Sequence, residues 1–168
     1  MRYARYCAFM LMIAGCFGDA SYRISVESHG TKVVTGRFTR SLLESDSSFS
    51  WYRQNYGAFS PDSASIAYLA GTAHNIHFII VGGTWCSDTK QELPRFFKTV
   101  SLSHIPEANI ELYGVDRSKK SKDGLTEKYG INRVPTIILF SEGKEIGRIV
   151  ESTKNGMEFD LADILRKK

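Results

Sequence analysis

The chain has 168 residues, with 22 Lys+Arg against 18 Asp+Glu for a formal net charge of +4, and is 42% apolar and 24% charged. These values exclude a disordered chain, a collagen-like repeat and a polytopic membrane protein, and the length suits one domain with an appendage. A surplus of four charges, with no dense basic patch interleaved with aromatics, gives no argument for a nucleic-acid partner. Three cysteines are too few for a disulfide scaffold, and an odd count leaves at least one without a partner in the chain.

Arg2 and Arg5 precede an apolar run from Cys7 to Ile13, followed by Ala14-Gly15. A basic start, a short apolar run and small residues form the pattern of a secretory signal over residues 1–15. The run is well short of the ~20 apolar residues that a membrane-spanning helix needs. Ile13-Ala14-Gly15-Cys16 resembles the lipobox of bacterial lipoproteins. That resemblance implies cleavage before Cys16, lipidation of Cys16, a membrane anchor through that lipid and a periplasm-facing protein of the cell envelope. Cleavage after Gly18-Asp19-Ala20, which would discard Cys16, is the alternative; a retained buried strand fits the two arginines poorly. Either exported form faces an oxidising compartment in which disulfide chemistry is active. Loss of residues 1–15 removes two cations and no carboxylate, which lowers the formal charge to +2.

Two short β-prone runs follow, Arg23–Val26 and Lys32–Phe38, divided by the turn signal His29-Gly30. Ser41 to about Tyr56 reads as one helix, with Phe49, Tyr52, Tyr56 and Phe59 spaced as an ordinary core stripe. Ser60-Pro61-Asp62 reads as the start of the next helix, with Ser60 as cap, Pro61 at the first helical position and Ile66, Leu69, Ala70 and Ala73 on the buried face. The C-terminal helix carries Met157, Leu161, Ile164 and Leu165 at helical spacing and ends in Arg166-Lys167-Lys168.

Between these helices lie short β-branched runs read as strands: His77–Val81, Ile110–Val115, Thr136–Phe140 and Ile146–Val150. Ser87–Val100 reads as a helix after the first strand and Gly124–Tyr129 as a shorter one before the third. Ser141-Glu142-Gly143-Lys144 joins the last two strands as a hairpin. The order is β-α-β-α-β-β-α. Residues 16–73 read as an N-terminal α/β extension packed on a main domain of residues 74–168.

Trp85-Cys86-Ser87-Asp88-Thr89 at the end of the first strand of that domain, and Val134-Pro135-Thr136 before the third, resemble the thioredoxin family. The resemblance runs from about Ile76 to the C-terminus and includes Pro94 in the helix after Cys86, Val115-Asp116, Lys128-Tyr129-Gly130-Ile131 and Glu142-Gly143. It implies a thioredoxin fold, a central mixed β-sheet flanked by helices. Cys86 is then the catalytic thiol, Pro135 a cis-proline that presents substrate with Val134, and Trp85 a shield on one side of the thiol. A cysteine at a helix N-terminus feels backbone N–H groups and the positive end of the dipole, which favour a thiolate.

The departures are as informative. Thr89 stands where dithiol enzymes carry a second cysteine; its hydroxyl would steady the thiolate but cannot attack a mixed disulfide, so release needs an external thiol reductant. The position of the family's buried acid is Ile80. Asp88 opposes a thiolate unless it caps the helix. Peroxidatic cysteines usually follow a Thr three residues earlier, and that position is Gly83, with Thr84 one residue off. His29, His74, His77 and His104 show no metal-ligand spacing, and no metal or other cofactor is implied. Asp116 to Asp123, with Arg117, Lys119, Lys120 and Lys122, reads as a solvated basic loop, docking to an acidic partner or anionic headgroups being the alternative. Two functions follow: a monothiol oxidoreductase acting on protein or small-thiol disulfides through Cys86, or a thioredoxin-fold binding or scaffold module without the reaction.

Overall fold

The computed structural model describes residues 21–168. Cys7, Cys16 and both cleavage sites read from the sequence lie outside the described residues. β1 (Ser21–Val26) and β2 (Lys32–Phe38) form an antiparallel hairpin, with His29 and Gly30 both at positive φ in its turn.

The stretch read as one helix is divided into α1 (Arg40–Ser45), a 3-10 turn over Ser47–Phe49, and α2 (Ser50–Ala58). Asp46 makes the break. Its carboxylate accepts from the Ser48 N–H at 2.9 Å and pairs with Lys32 Nζ at 2.6 Å. Short polar side chains in Asp46-Ser47-Ser48 offer the backbone partners that a continuous helix would need. The next helix, α3 (Ser63–Thr72), also starts later than expected. Its cap is Asp62 rather than Ser60, because the Asp62 carboxylate reaches the Ser65 N–H at 2.7 Å.

From residue 76 the elements come in the expected order: β3 (Ile76–Gly82), α4 (Ser87–Leu102), β4 (Ile110–Gly114), α5 (Leu125–Lys128), β5 (Thr136–Ser141), β6 (Lys144–Val150) and α6 (Met157–Arg166). All six strands join one sheet in the order β1-β2-β4-β3-β5-β6, in which only β3 and β4 are parallel. That parallel pair needs a crossover, which α4 supplies, whereas β5 and β6 need only a tight hairpin. The central strand β3 is covered on both faces, so it reads as a near-continuous apolar run rather than an alternating one.

The sheet separates two cores. The larger holds Phe78, Ile80, Phe96, Ile137 and Leu161 together with Val34, Phe38, Leu43, Phe49, Tyr52 and Leu69, so residues 21–73 share one core with the rest of the chain. The smaller, on the opposite face, holds Val81, Val115, Ile131, Val134 and Ile138, with Trp85, Cys86 and Leu125 of α5 at its margin. The unit β4-β3-β5-β6, with α4 and α6 on one face and α5 on the other, is a thioredoxin fold, and β1 and β2 extend its sheet past β4. Pro94 lies inside α4 and cannot donate to the Lys90 carbonyl; Asn55 Nδ2 of α2 donates to that carbonyl instead, at 2.9 Å. Among the described residues no helix is long and apolar enough to cross a membrane.

Candidate functional site around Cys86

β3 ends at Gly82, and the chain turns through Gly83-Thr84-Trp85 before Cys86 caps α4. The Cys86 N–H donates to the Gly83 carbonyl at 2.8 Å, and the Cys86 carbonyl accepts the first helical bond from Lys90 at 3.1 Å. The Cys86 thiol is free and half-buried. Its Sγ–H donates to the Val134 carbonyl at 3.3 Å, and the Val134–Pro135 peptide is cis. The fold therefore brings Cys86 and Trp85 together with Val134 and Pro135, 48 residues away from Cys86 at the nearest. Val134 and Pro135 are buried, so the loop turns main chain toward the sulfur. The Pro135 carbonyl is already taken by the Glu151 N–H at 2.8 Å.

Thr89 is placed differently from the expectation that its hydroxyl steadies the thiolate. It is 1% exposed, and its Oγ1 accepts from the Gly83 N–H at 3.2 Å. Its methyl group lies where a Cβ on Gly82 would meet it at 3.0 Å. Thr89 thus pins the strand-to-helix turn from below. Thr84 pins the same turn from the side: its buried hydroxyl donates to the Lys32 carbonyl at 2.8 Å and accepts from the Val34 N–H at 3.2 Å. These two threonines fix the loop that carries Cys86, and one of them ties it to β2.

The Trp85 indole folds back over Gly83, and Nε1–H donates to the Val115 carbonyl at 2.9 Å. A Cβ on residue 83 would lie 2.6 Å from the ring, which gives a physical reason for glycine there. The guanidinium of Arg117 covers the indole, 4.9 Å from its centroid. Arg117 in turn grips Glu27 through two parallel bonds of 3.0 and 2.9 Å, and these hydrogen bonds, helped by its charge, hold the Glu27 carboxyl below the usual carboxylate range. Sequence reasoning missed this Trp85-Arg117-Glu27 stack and the Thr84 bridge. Arg117 and Glu27 are 90 residues apart, so no local pattern could have joined them.

Asp88 does not cap α4; its carboxylate accepts only from Ser87 Oγ at 3.4 Å, and the helix start has no side-chain cap. Ile80 is fully buried in the larger core. The buried acids lie on helices instead. Glu92 is 2% exposed and accepts from Arg95 and Thr153; burial pushes its carboxyl up against their pull. Glu158 accepts from the Asp62 N–H at 2.9 Å. His77 Nε2 sits 3.0 Å from Glu111 on the sheet face of the smaller core. Among the described residues, no three His, Cys, Asp or Glu side chains converge as a metal site.

Chemically, the site offers one reachable sulfur at a helix start, opposite a loop whose main chain lies in contact with it. No family model and no curated protein matches the chain. A solved protein of unknown function from Pseudomonas aeruginosa is 19% identical, with 70% of this chain and 80% of that one covered at a TM-score of 0.50. A thioredoxin from Halobacterium salinarum is 20% identical over 58% of this chain and 77% of its own, at a TM-score of 0.38. Thioredoxin O2 from Arabidopsis thaliana is 16% identical over 62% and 83%, at 0.39. At these identities the likeness is one of fold, and the strand order with its Cys86–Val134 contact identifies that fold as thioredoxin-like.

Proposed function

We propose that the protein exchanges thiols with disulfides through Cys86 alone, as a monothiol thioredoxin-like oxidoreductase of the cell envelope. The observation that carries this reading is the half-buried Cys86 at the start of α4, its sulfur 3.3 Å from the carbonyl that precedes Pro135. In the first step the Cys86 thiolate attacks one sulfur of a substrate disulfide. A Cys86 mixed disulfide forms and the other substrate thiolate leaves. In the second step the thiolate of an external reductant attacks the substrate sulfur of that mixed disulfide and returns Cys86 as thiolate. Each step breaks one S–S bond and forms one, so the protein gains and loses no electrons over the cycle. Thr89 occupies the place of a resolving thiol, which makes the external reductant obligatory.

The test is capture of the intermediate. The full chain is incubated with oxidised glutathione, quenched with acid and an alkylating agent, and weighed by mass spectrometry. A Cys86 adduct that excess thiol releases, and that Cys86→Ser lacks, is the expected result. A folded protein that forms no adduct would defeat the reading and favour a binding or scaffold module. One observation favours that second reading: the Cys86 bond to the Val134 carbonyl exists only while the thiol keeps its proton. Lipidation of Cys16 and anchorage to the bacterial envelope complete the proposal, supported by the lipobox-like Ile13-Ala14-Gly15-Cys16. Partition of the expressed protein into a detergent phase, lost in Cys16→Ser, is the corresponding check.

A further inference from the structure

The loop from β4 to α5, α5 itself and the turn before β5 line an open cavity of about 460 Å³, and Cys86 is not among its lining residues. Arg117, Lys119, Lys120, Thr126, Glu127 and Asn132 supply its polar lining. Three cations therefore face one carboxylate. Thr126 donates to Glu127 at 2.9 Å, and Glu27 holds Arg117 from outside the cavity. The positive surplus is carried by Lys119 and Lys120, which have no carboxylate within ion-pair distance among the described residues. Two links run from the cavity toward the segment that carries the thiol. Arg117 covers the indole of Trp85, the neighbour of Cys86, and Ile131 both lines the cavity and packs in the cluster that includes Cys86 and Val134. Arg117 also shows which chemistry this wall accepts, since it already holds a carboxylate through paired N–H bonds.

We propose that this cavity binds the carboxylate of an acidic thiol or acidic peptide whose sulfur exchanges with Cys86, with Lys119 and Lys120 as the charge that recruits it. The inference takes exchange at Cys86 as given. It makes the basic loop a specificity element of the site, the acidic-partner alternative of the sequence reading rather than the solvated run. Two like charges on the same side of the molecule as a thiol raise the local concentration of anionic partners and speed their encounter over a range of about 10 Å, an effect that added salt weakens.

The test compares two disulfide reagents on the full chain: the dianionic 5,5′-dithiobis(2-nitrobenzoate) and the neutral 2,2′-dithiodipyridine. The readout is the ratio of their rates of reaction with Cys86. In Lys119→Gln/Lys120→Gln this ratio is expected to fall by roughly three- to tenfold, less so at high salt. Lys144→Gln, on the distant β5–β6 hairpin, is expected to leave the ratio as it is. A ratio unmoved by the double substitution, or moved equally by Lys144→Gln, would overturn the proposal. Failure of both reagents to label Cys86 would instead defeat the exchange reading, and the cavity is then judged by direct binding. S-methylglutathione, which carries carboxylates and no free thiol, should shift the backbone amide signals of Lys119, Thr126 and Asn132 saturably. Absence of such shifts at millimolar ligand would also overturn the proposal.

Discussion

A Cβ added at Gly83 would stand 2.6 Å from the Trp85 indole, and a ring edge cannot yield that far while Nε1–H keeps its 2.9 Å bond to the Val115 carbonyl. Gly83→Ala is therefore expected to displace the indole from under Arg117 and destabilise the fold by about 1–3 kcal/mol. Emission of Trp85 in a Trp51→Phe background, together with urea unfolding, checks both effects. The same position explains why a peroxidatic threonine is excluded there: any side chain on residue 83 collides with the tryptophan. Thr84, one residue on, has a structural task. Thr84→Val keeps the shape but strands the Lys32 carbonyl and the Val34 N–H, at an expected cost of about 1–3 kcal/mol in urea unfolding. A loss well below that range would mean that water replaces the hydroxyl. Both residues act on Cys86 only by holding the loop that presents it.

Helix α4 carries an internal proline, and another helix supplies the donor that it lacks. Pro94 removes one donor, and Asn55 of α2 supplies it to the Lys90 carbonyl at 2.9 Å. Asn55→Ala is expected to cost about 1 kcal/mol by leaving that carbonyl without its donor. In a Pro94→Ala background residue 94 regains its N–H, and the same substitution should cost measurably less. A double-mutant cycle in urea tests this, and additive effects would show that the two residues are uncoupled. At this scale the sequence was partly legible. The strands from residue 76 onward carry β-branched runs with clear turn signals, and α4 was read between the first two of them as Ser87–Val100. The break at Asp46 was not, because a stripe at helical spacing continues through Phe49, Tyr52 and Tyr56 while a local carboxylate-to-amide bond interrupts the backbone. The start of α3 was misplaced for a similar reason: Ser60 and Asp62 are both good caps, and only tertiary position selects Asp62.

Across the whole molecule, the thiol, the proline and the order of elements from residue 76 followed from motifs that are each only a few residues long. What could not be read were the contacts between distant segments: Glu27 with Arg117, Thr84 with β2, and the acids buried between helices. Glu92 is the most exposed of these to a test by pH, because it is 2% accessible and burial holds its carboxyl above the ordinary 4.5 despite the pull of Arg95 and Thr153. A carboxyl with a raised value in the folded state binds its proton more tightly there than in the unfolded chain. Its effect on stability is then most favourable below pH 4.5 and declines as pH rises through the folded-state value. Glu92→Gln keeps the size of the side chain and removes the charge that burial penalises. The substitution should therefore be more favourable at pH 7 than at pH 4, with the urea midpoint of the variant rising relative to the parent between the two. A midpoint that instead falls relative to the parent as pH rises would show that the pairing with Arg95, at 3.2 Å, outweighs the cost of burying the carboxylate.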